Sequence, residues 1–223
     1  MPISRRIELL NWASSSPGRY IVEDDYDSEF KYRSDHIPSL QSLDQNNCVI
    51  YLGTFSKTMF PGLRISYMVL PPELLRTYHA SYSDSIQTSN TLNLYTMHYF
   101  IRNGLYISYV KKMTQLYEKR RAVLLNMLRK RFDDNIEVQD IPAGLHFLAY
   151  FKTYKSEQEV LEAAKEAKLE LYTMGRFRLN EQVPTIGRIG LIIGFANTAE
   201  EEMEAIVARL HHVLTAKGKA SSF

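Results

Sequence analysis

YLGTFSKTMFPGLRISYMVLPP, residues 51–72, sets a single lysine between two apolar stretches. Ile50, Tyr51 and Leu52 lead into it, and Ile65, Tyr67, Met68, Val69 and Leu70 lead out. Each stretch reads as a short strand, and Pro71-Pro72 stops the second. Lys57 therefore looks buried, and a buried lysine is rare unless it is paired or chemically used. Hydroxyls at Thr54 and Ser56 precede it, and Arg64 follows seven residues later.

Upstream, Tyr20-Ile21-Val22 reads as another strand and runs directly into EDDYD. The segment between the strands at 20–22 and 49–52 is long enough for the crossover that parallel pairing demands. In an open α/β sheet, ligands sit beyond the carboxyl ends of parallel strands. Asp24 and Lys57 are thus expected at one edge of the sheet. Extended chain has a period of two, so Asp24 and Tyr26 point the same way and Asp25 points elsewhere. Asp25 and Asp27 read as a solvated turn or a helix cap.

The remaining elements follow from periodicity. Residues 3–13 form a helix with Ile7, Leu10 and Trp12 at helical spacing, ended by SSSPG at 14–18. A helical fragment SLQSL lies in the crossover. One long helix is expected from 73 to 102, ended by Gly104, and a second from 106 to 131 with Tyr109, Val110, Met113, Leu116 and Tyr117 on one side. The basic run KKMTQLYEKRR (111–121) reads as the wet face of that helix, with Lys111, Glu118 and Arg121 outside. Strands are expected at 136–139, 145–151, 169–173 and over IGLIIGF, with helices at 156–167 and 199–215, the last starting at Thr198 ahead of Glu200, Glu201 and Glu202. The fold class is α/β: part of a larger sheet domain (residues 1–104), followed by a linking helix and a smaller α+β domain (105–223).

Composition excludes several classes. The chain has 223 residues, 45% hydrophobic and 23% charged, which suits a globular protein with a real core. A net charge of +2 gives no general attraction to nucleic acid, and no compact recognition motif is present. The single cysteine, Cys48, excludes an internal disulfide framework and fits a cytoplasmic setting. No apolar run is long enough to span a bilayer. His211-His212 has poor spacing for a metal site, and His146 reads as an interior histidine.

A carboxylate, a phenol, a lysine, two hydroxyls and an arginine converging on one sheet edge match the needs of pyridoxal 5'-phosphate. That cofactor needs a lysine for its Schiff base, an acid to keep the pyridine nitrogen protonated, a donor to the ring oxygen, and hydroxyls and an arginine for its phosphate. Lys57, Asp24, Tyr26, Thr54 with Ser56, and Arg64 fill those places in turn.

EDDYDSEF (23–30) followed by LGTFSKTMFPGLRISYMVLPP (52–72) resembles the fold-type I aminotransferases. With SRRIELLNWA, AGLHF, YTMGRF and LIIGFA, the chain more narrowly resembles the aminotransferase-like domain of MocR-type transcription regulators, in the GabR branch. The resemblance implies Lys57 as the aldimine lysine, Asp24 as partner of the pyridine nitrogen, Tyr26 near the ring oxygen and Arg64 near the phosphate. It also implies a small amino-acid effector such as γ-aminobutyrate, exchanging at Lys57, and a homodimer. An arginine in a short Ser-Arg-Phe segment takes the effector carboxylate in that branch. MGRF is the matching stretch here, which makes Arg176 the candidate. Gly175 departs from the serine, Arg178 adds a neighbouring charge, and Arg188 is a weaker alternative. Regulators of this kind begin with a winged helix-turn-helix head, so the chain reads as their C-terminal portion, contacting DNA only through a head outside it. The rival readings are part of an aminotransferase that turns over, with Lys57 shuttling protons, and a non-catalytic dimerising domain.

Overall fold

A computed structural model describes residues 1–27, 29–32, 38–86, 88–139, 143–177 and 187–216. The fold is α/β, in two compact units, Met1–Lys111 and Lys112–Phe223.

In the first unit, helix α1 (Ile3–Ser14) precedes strand β1 (Ile21–Asp25), helix α2 (Leu40–Leu43), strand β2 (Val49–Thr54) and strand β3 (Ser66–Val69). The sheet order is β1-β2-β3, with β1 parallel to β2 and β3 antiparallel to β2. Leu10 and Ala13 of α1 bury against Ile21, Leu40, Cys48 and Val49. Ile7 and Trp12, at the same helical spacing in sequence, are instead half exposed (49% and 52%), so the inward stripe of α1 is narrower than its apolar content.

Two carboxylates hold this layer together. Glu23 of β1 accepts the first backbone N–H groups of α2, from Leu40 at 2.8 Å and Gln41 at 3.0 Å, and pairs with Arg6 of α1 at 3.4 Å. Asp44 accepts from the backbone of Asn46, Cys48 and Val49 at 2.7–2.9 Å and so sets where β2 begins. Burial pushes the Asp44 carboxyl up, but these hydrogen bonds outweigh it and hold the group below its ordinary value.

The single long helix expected over 73–102 is two helices, α3 (Pro72–Tyr82) and α4 (Thr91–Arg102). The break falls in a segment rich in Ser, Asp and Asn, side chains that compete for backbone hydrogen bonds. Asn90 then caps α4 by accepting the Asn93 N–H at 3.2 Å.

Helix α5 (Leu105–Phe132) carries Arg121, Leu124, Leu125, Leu128 and Phe132 as its buried residues. Arg121 is 6% exposed, contrary to the expectation that it lies on the wet face; it falls on the stripe that continues through Leu124, Leu125 and Leu128. Lys111 and Glu118 are exposed as expected.

The second unit holds a sheet of order β4-β5-β7-β6, built from β4 (Ile136–Gln139), β5 (His146–Lys152), β6 (Tyr172–Thr173) and β7 (Arg188–Gly194), all pairs antiparallel. Phe147, Ala149 and Phe151 alternate inward along β5, and Phe132 of α5 meets Phe151 edge-on at 4.8 Å. Helix α6 (Glu157–Glu166) starts at Ser156 in a capping box with Glu159. Helix α7 (Glu200–Thr215) starts one residue later than expected, with Ala199 rather than Thr198 at the cap position and no side-chain cap. Its buried face is Met203, Val207, Leu210, Val213 and Leu214.

Gly53 in β2 is demanded by packing. A Cβ there would lie 2.7 Å from Cε1 of Tyr67, its cross-strand partner on β3, and nearer still to the end of that ring. Tyr67 in turn rests against Tyr51 and Phe55, with ring centroids 6.3 and 5.5 Å away. Gly53→Ala is expected to lower stability by about 1–3 kcal/mol in urea denaturation by displacing that ring. In a Tyr67→Ala background the same change should cost much less.

Candidate cofactor site

Because β1 and β2 run parallel with Asp24 level with Leu52 and Asp25 level with Gly53, both strands deliver their following loops to one sheet edge. Asp24 and Tyr26 are exposed, while Asp25 is partly buried, so the alternation expected from the sequence is present. The structure brings Lys57 to Tyr26: its Nζ lies 6.0 Å from the ring centroid. Tyr26 is 39% exposed, and the burial of the rest, reinforced by the charges of Asp27 and Asp24, pushes its phenol up, which keeps it a proton donor. Lys57 itself is exposed, not buried as its sequence context suggests. It sits on the turn after β2, beyond the apolar strand that makes it look interior.

The hydroxyl of Thr54 is engaged within the loop. Its proton goes to the Ile65 carbonyl at 3.2 Å and its oxygen accepts the Ser56 N–H at 3.1 Å. Thr54 thus shapes the turn on which the half-buried Ser56 sits. Arg64 is exposed and left-handed, with φ 54°, directly after the 3-10 turn Pro61–Leu63. Such a conformation is unfavourable for a residue with a Cβ and persists only where the surroundings impose it. Here they do: Leu63 and Ile65 on either side are 4% and 7% exposed, packed with Met97, and Asn93 donates to the Leu63 carbonyl at 3.2 Å.

The opposite face of the sheet holds a second set of polar groups that sequence reading missed. Asp25, expected as a solvated turn residue, accepts the Tyr51 hydroxyl at 2.9 Å. Tyr106, at the start of α5, reaches Thr58 at 3.1 Å and Glu29 at 3.4 Å. Thr58 follows Lys57 and is only 2% exposed. Burial raises the Tyr106 phenol to about 12. Burial also raises Glu29, against its own backbone hydrogen bond, and the charge of Asp25 adds to the rise. Period two along β1 already put Asp25 on the face away from Asp24; the contribution of Tyr106, 48 residues beyond Thr58, had no local signal.

In the second unit, Arg176 lies exposed on the 3-10 turn Met174–Phe177, its guanidinium 5.2 Å from the Tyr172 ring centroid. Arg188 is engaged with Glu137 at 3.6 Å and lies over the Tyr150 ring at 4.8 Å. Arg178 is outside the described residues. His146 is exposed at the start of β5, not interior, and His211 packs on Phe132 at 5.1 Å. Among the described residues no cluster could hold a metal ion, and no helix is long and apolar enough to cross a membrane.

This arrangement has counterparts. Residues 15–210 match the family model for aminotransferase class I and II. The chain belongs to that family. Among its relatives, the uncharacterized HTH-type transcriptional regulator YdeL of Bacillus subtilis is 36% identical over 211 residues, 94% of this chain and 44% of that protein. The probable rhizopine catabolism regulatory protein MocR of Rhizobium meliloti is 36% identical over 149 residues, 67% of this chain and 30% of that protein. Among solved structures, the α-aminoadipate aminotransferase LysN of Thermus thermophilus, complexed with N-(5'-phosphopyridoxyl)-L-leucine, superposes with a TM-score of 0.80 at 25% identity, over 96% of this chain and 54% of that one. The chain therefore spans about half the length of the aminotransferase-family proteins it matches.

The raised Glu29 carboxyl has a consequence for stability. Its folded value exceeds its unfolded one, so its contribution is complete below the ordinary 4.5 and is lost as pH rises through the folded value. Glu29→Gln, which cannot ionise, should remove this component. Urea midpoints measured across rising pH are expected to fall less steeply for the variant than for the wild type.

Proposed function

We propose that the chain is the effector-sensing, pyridoxal-phosphate-binding domain of a MocR/GabR-type transcription regulator, responding to γ-aminobutyrate or a similar amino acid. The observation that carries this reading is the meeting of Lys57 with Tyr26 at the carboxyl ends of the parallel β1 and β2, with Asp24 on the same strand face as Tyr26. The likeness to proteins named as HTH-type regulators supports the regulatory half of it. In the whole protein, DNA contact falls to a helix-turn-helix head and the domain works as a homodimer.

The donor set fits the cofactor. When bound, pyridoxal phosphate supplies an aldehyde that condenses reversibly with primary amines. Lys57 would offer such an amine, on an exposed turn open to an incoming amino compound. Asp24 would hold a proton on the pyridine nitrogen by charge, and Tyr26, kept protonated, would donate to the ring oxygen. Arg64 and the Ser56 hydroxyl would bind its phosphate, while Thr54 holds the loop that presents them. Arg176 receives the effector carboxylate through the planar two-donor fork of its guanidinium.

Borohydride treatment of the full-length protein loaded with pyridoxal phosphate is expected to fix the cofactor on Lys57, read by peptide mass spectrometry. Lys57→Ala should lose the adduct, and promoter binding by that variant should no longer respond to γ-aminobutyrate. An unchanged reducible adduct in the variant would remove Lys57 from the role. Arg176→Lys should weaken γ-aminobutyrate binding while leaving cofactor binding nearly intact, because an ammonium cannot form the two-point contact.

A further inference from the structure

The turn that carries Arg176 is held far more firmly than an exposed surface arginine requires. Strand β6 is only two residues long, at the edge of its sheet, paired with Leu191 and Ile192 of β7. Two ladder positions cannot by themselves fix the chain that follows. Side chains supply the rest. Thr173 is 3% exposed and donates its hydroxyl proton to Glu157 at 2.5 Å. Glu157 comes from the first turn of α6, whose start is itself locked by the Ser156–Glu159 capping box.

The carboxylate of Glu157 also fills the space beside Gly175, one residue before Arg176. A Cβ built on Gly175 would lie 2.7 Å from the Glu157 carboxyl carbon and closer still to both oxygens. Met174 is seated in a second notch, since a Cβ on Gly190 of β7 would meet its Cγ at 3.0 Å. Two glycines and a carboxylate thus clamp residues 173–175. Successive strand residues face opposite ways, so Tyr172 lies on the exposed side and takes the guanidinium of Arg176 over its ring. The clamp is on one side of the strand and the presented arginine on the other.

We propose that Glu157 is the positioning residue for Arg176, and that Gly175 is required to admit its carboxylate. The clamp fixes the direction of the guanidinium before a ligand arrives, so a carboxylate meets two donors without the turn having to order itself. The inference rests on the reading of Arg176 as receptor of the effector carboxylate. It adds that the glycine at 175 forms a pair with Glu157, because a serine there would need the space that the carboxylate fills.

Calorimetry on the full-length protein loaded with pyridoxal phosphate, with γ-aminobutyrate and with butylamine as the matching amine without a carboxylate, tests it. Glu157→Ala and Gly175→Ser are each expected to weaken γ-aminobutyrate binding by about tenfold, the loss of one charge-assisted hydrogen bond, and to leave butylamine unchanged. Glu157→Gln, which keeps an acceptor for Thr173, should retain most of the affinity. The double variant should lose no more than either single one, since each removes the same clamp. Thermal denaturation without ligand should show the same coupling: Gly175→Ser destabilises the protein when Glu157 is present and much less when it is Ala. Additive losses, or losses shared equally by butylamine, would overturn the proposal in favour of a general structural role. If Arg176→Lys weakens γ-aminobutyrate binding and the Glu157 and Gly175 variants do not, the clamp alone is refuted. If Arg176→Lys changes nothing, the receptor reading falls and the clamp proposal falls with it.

Discussion

Parallel pairing of β1 with β2 is the constraint on which the rest of the candidate site depends. Parallel neighbours place their carboxyl ends side by side, so the acidic segment after β1 and the lysine turn after β2 meet although they are far apart in the chain. Two carboxylates support the pairing, one in the middle of β1 and one just ahead of β2. Glu23 ties β1 to α1 and α2, and Asp44 gathers the backbone N–H groups where β2 starts. Neither carboxylate touches the proposed cofactor position. Both anchor the strands whose pairing sets Asp24 level with Leu52.

The lysine turn is fixed from both faces of the sheet. On one, Lys57 meets Tyr26; on the other, the neighbouring Thr58 is buried and bonded to Tyr106, which also reaches Glu29. A reactive lysine needs a free amine on an immobile backbone. Exposure at Lys57 with near-complete burial at Thr58 provides that division within two adjacent residues. Arg64 repeats the pattern, an exposed cation whose two neighbours are buried.

Much of this is legible in the amino-acid order, and the exceptions have physical causes. The strand over Ile136–Gln139 matches the expected residues because alternation there is unbroken, and the parallel order of the first two strands follows from the length of the crossover. The α3–α4 break escaped because no Gly or Pro marks residues 83–90; the interrupting signal is polar side chains such as Asn90, which caps α4. Arg121 escaped because charge suggests solvent, whereas its position on the helix decided burial. Lys57 was legible as special but for a partly mistaken reason: its apolar neighbours belong to strands, and the lysine to the turn between them. The Tyr106 contact was invisible because nothing local in a sequence reports a hydrogen bond closed over 48 residues.

Asp24 and Asp25 sit side by side and do unlike things, one exposed beside Tyr26 and the other bonded to Tyr51 across the sheet. Since their side chains differ only in which face the backbone gives them, their identities are interchangeable and their positions are not. Divergence in this segment is therefore constrained in phase more than in composition. Replacements can accumulate at exposed Val22 while the frame stands, but an insertion or deletion of one residue between Ile21 and Asp24 would turn both aspartates to the opposite face of the sheet.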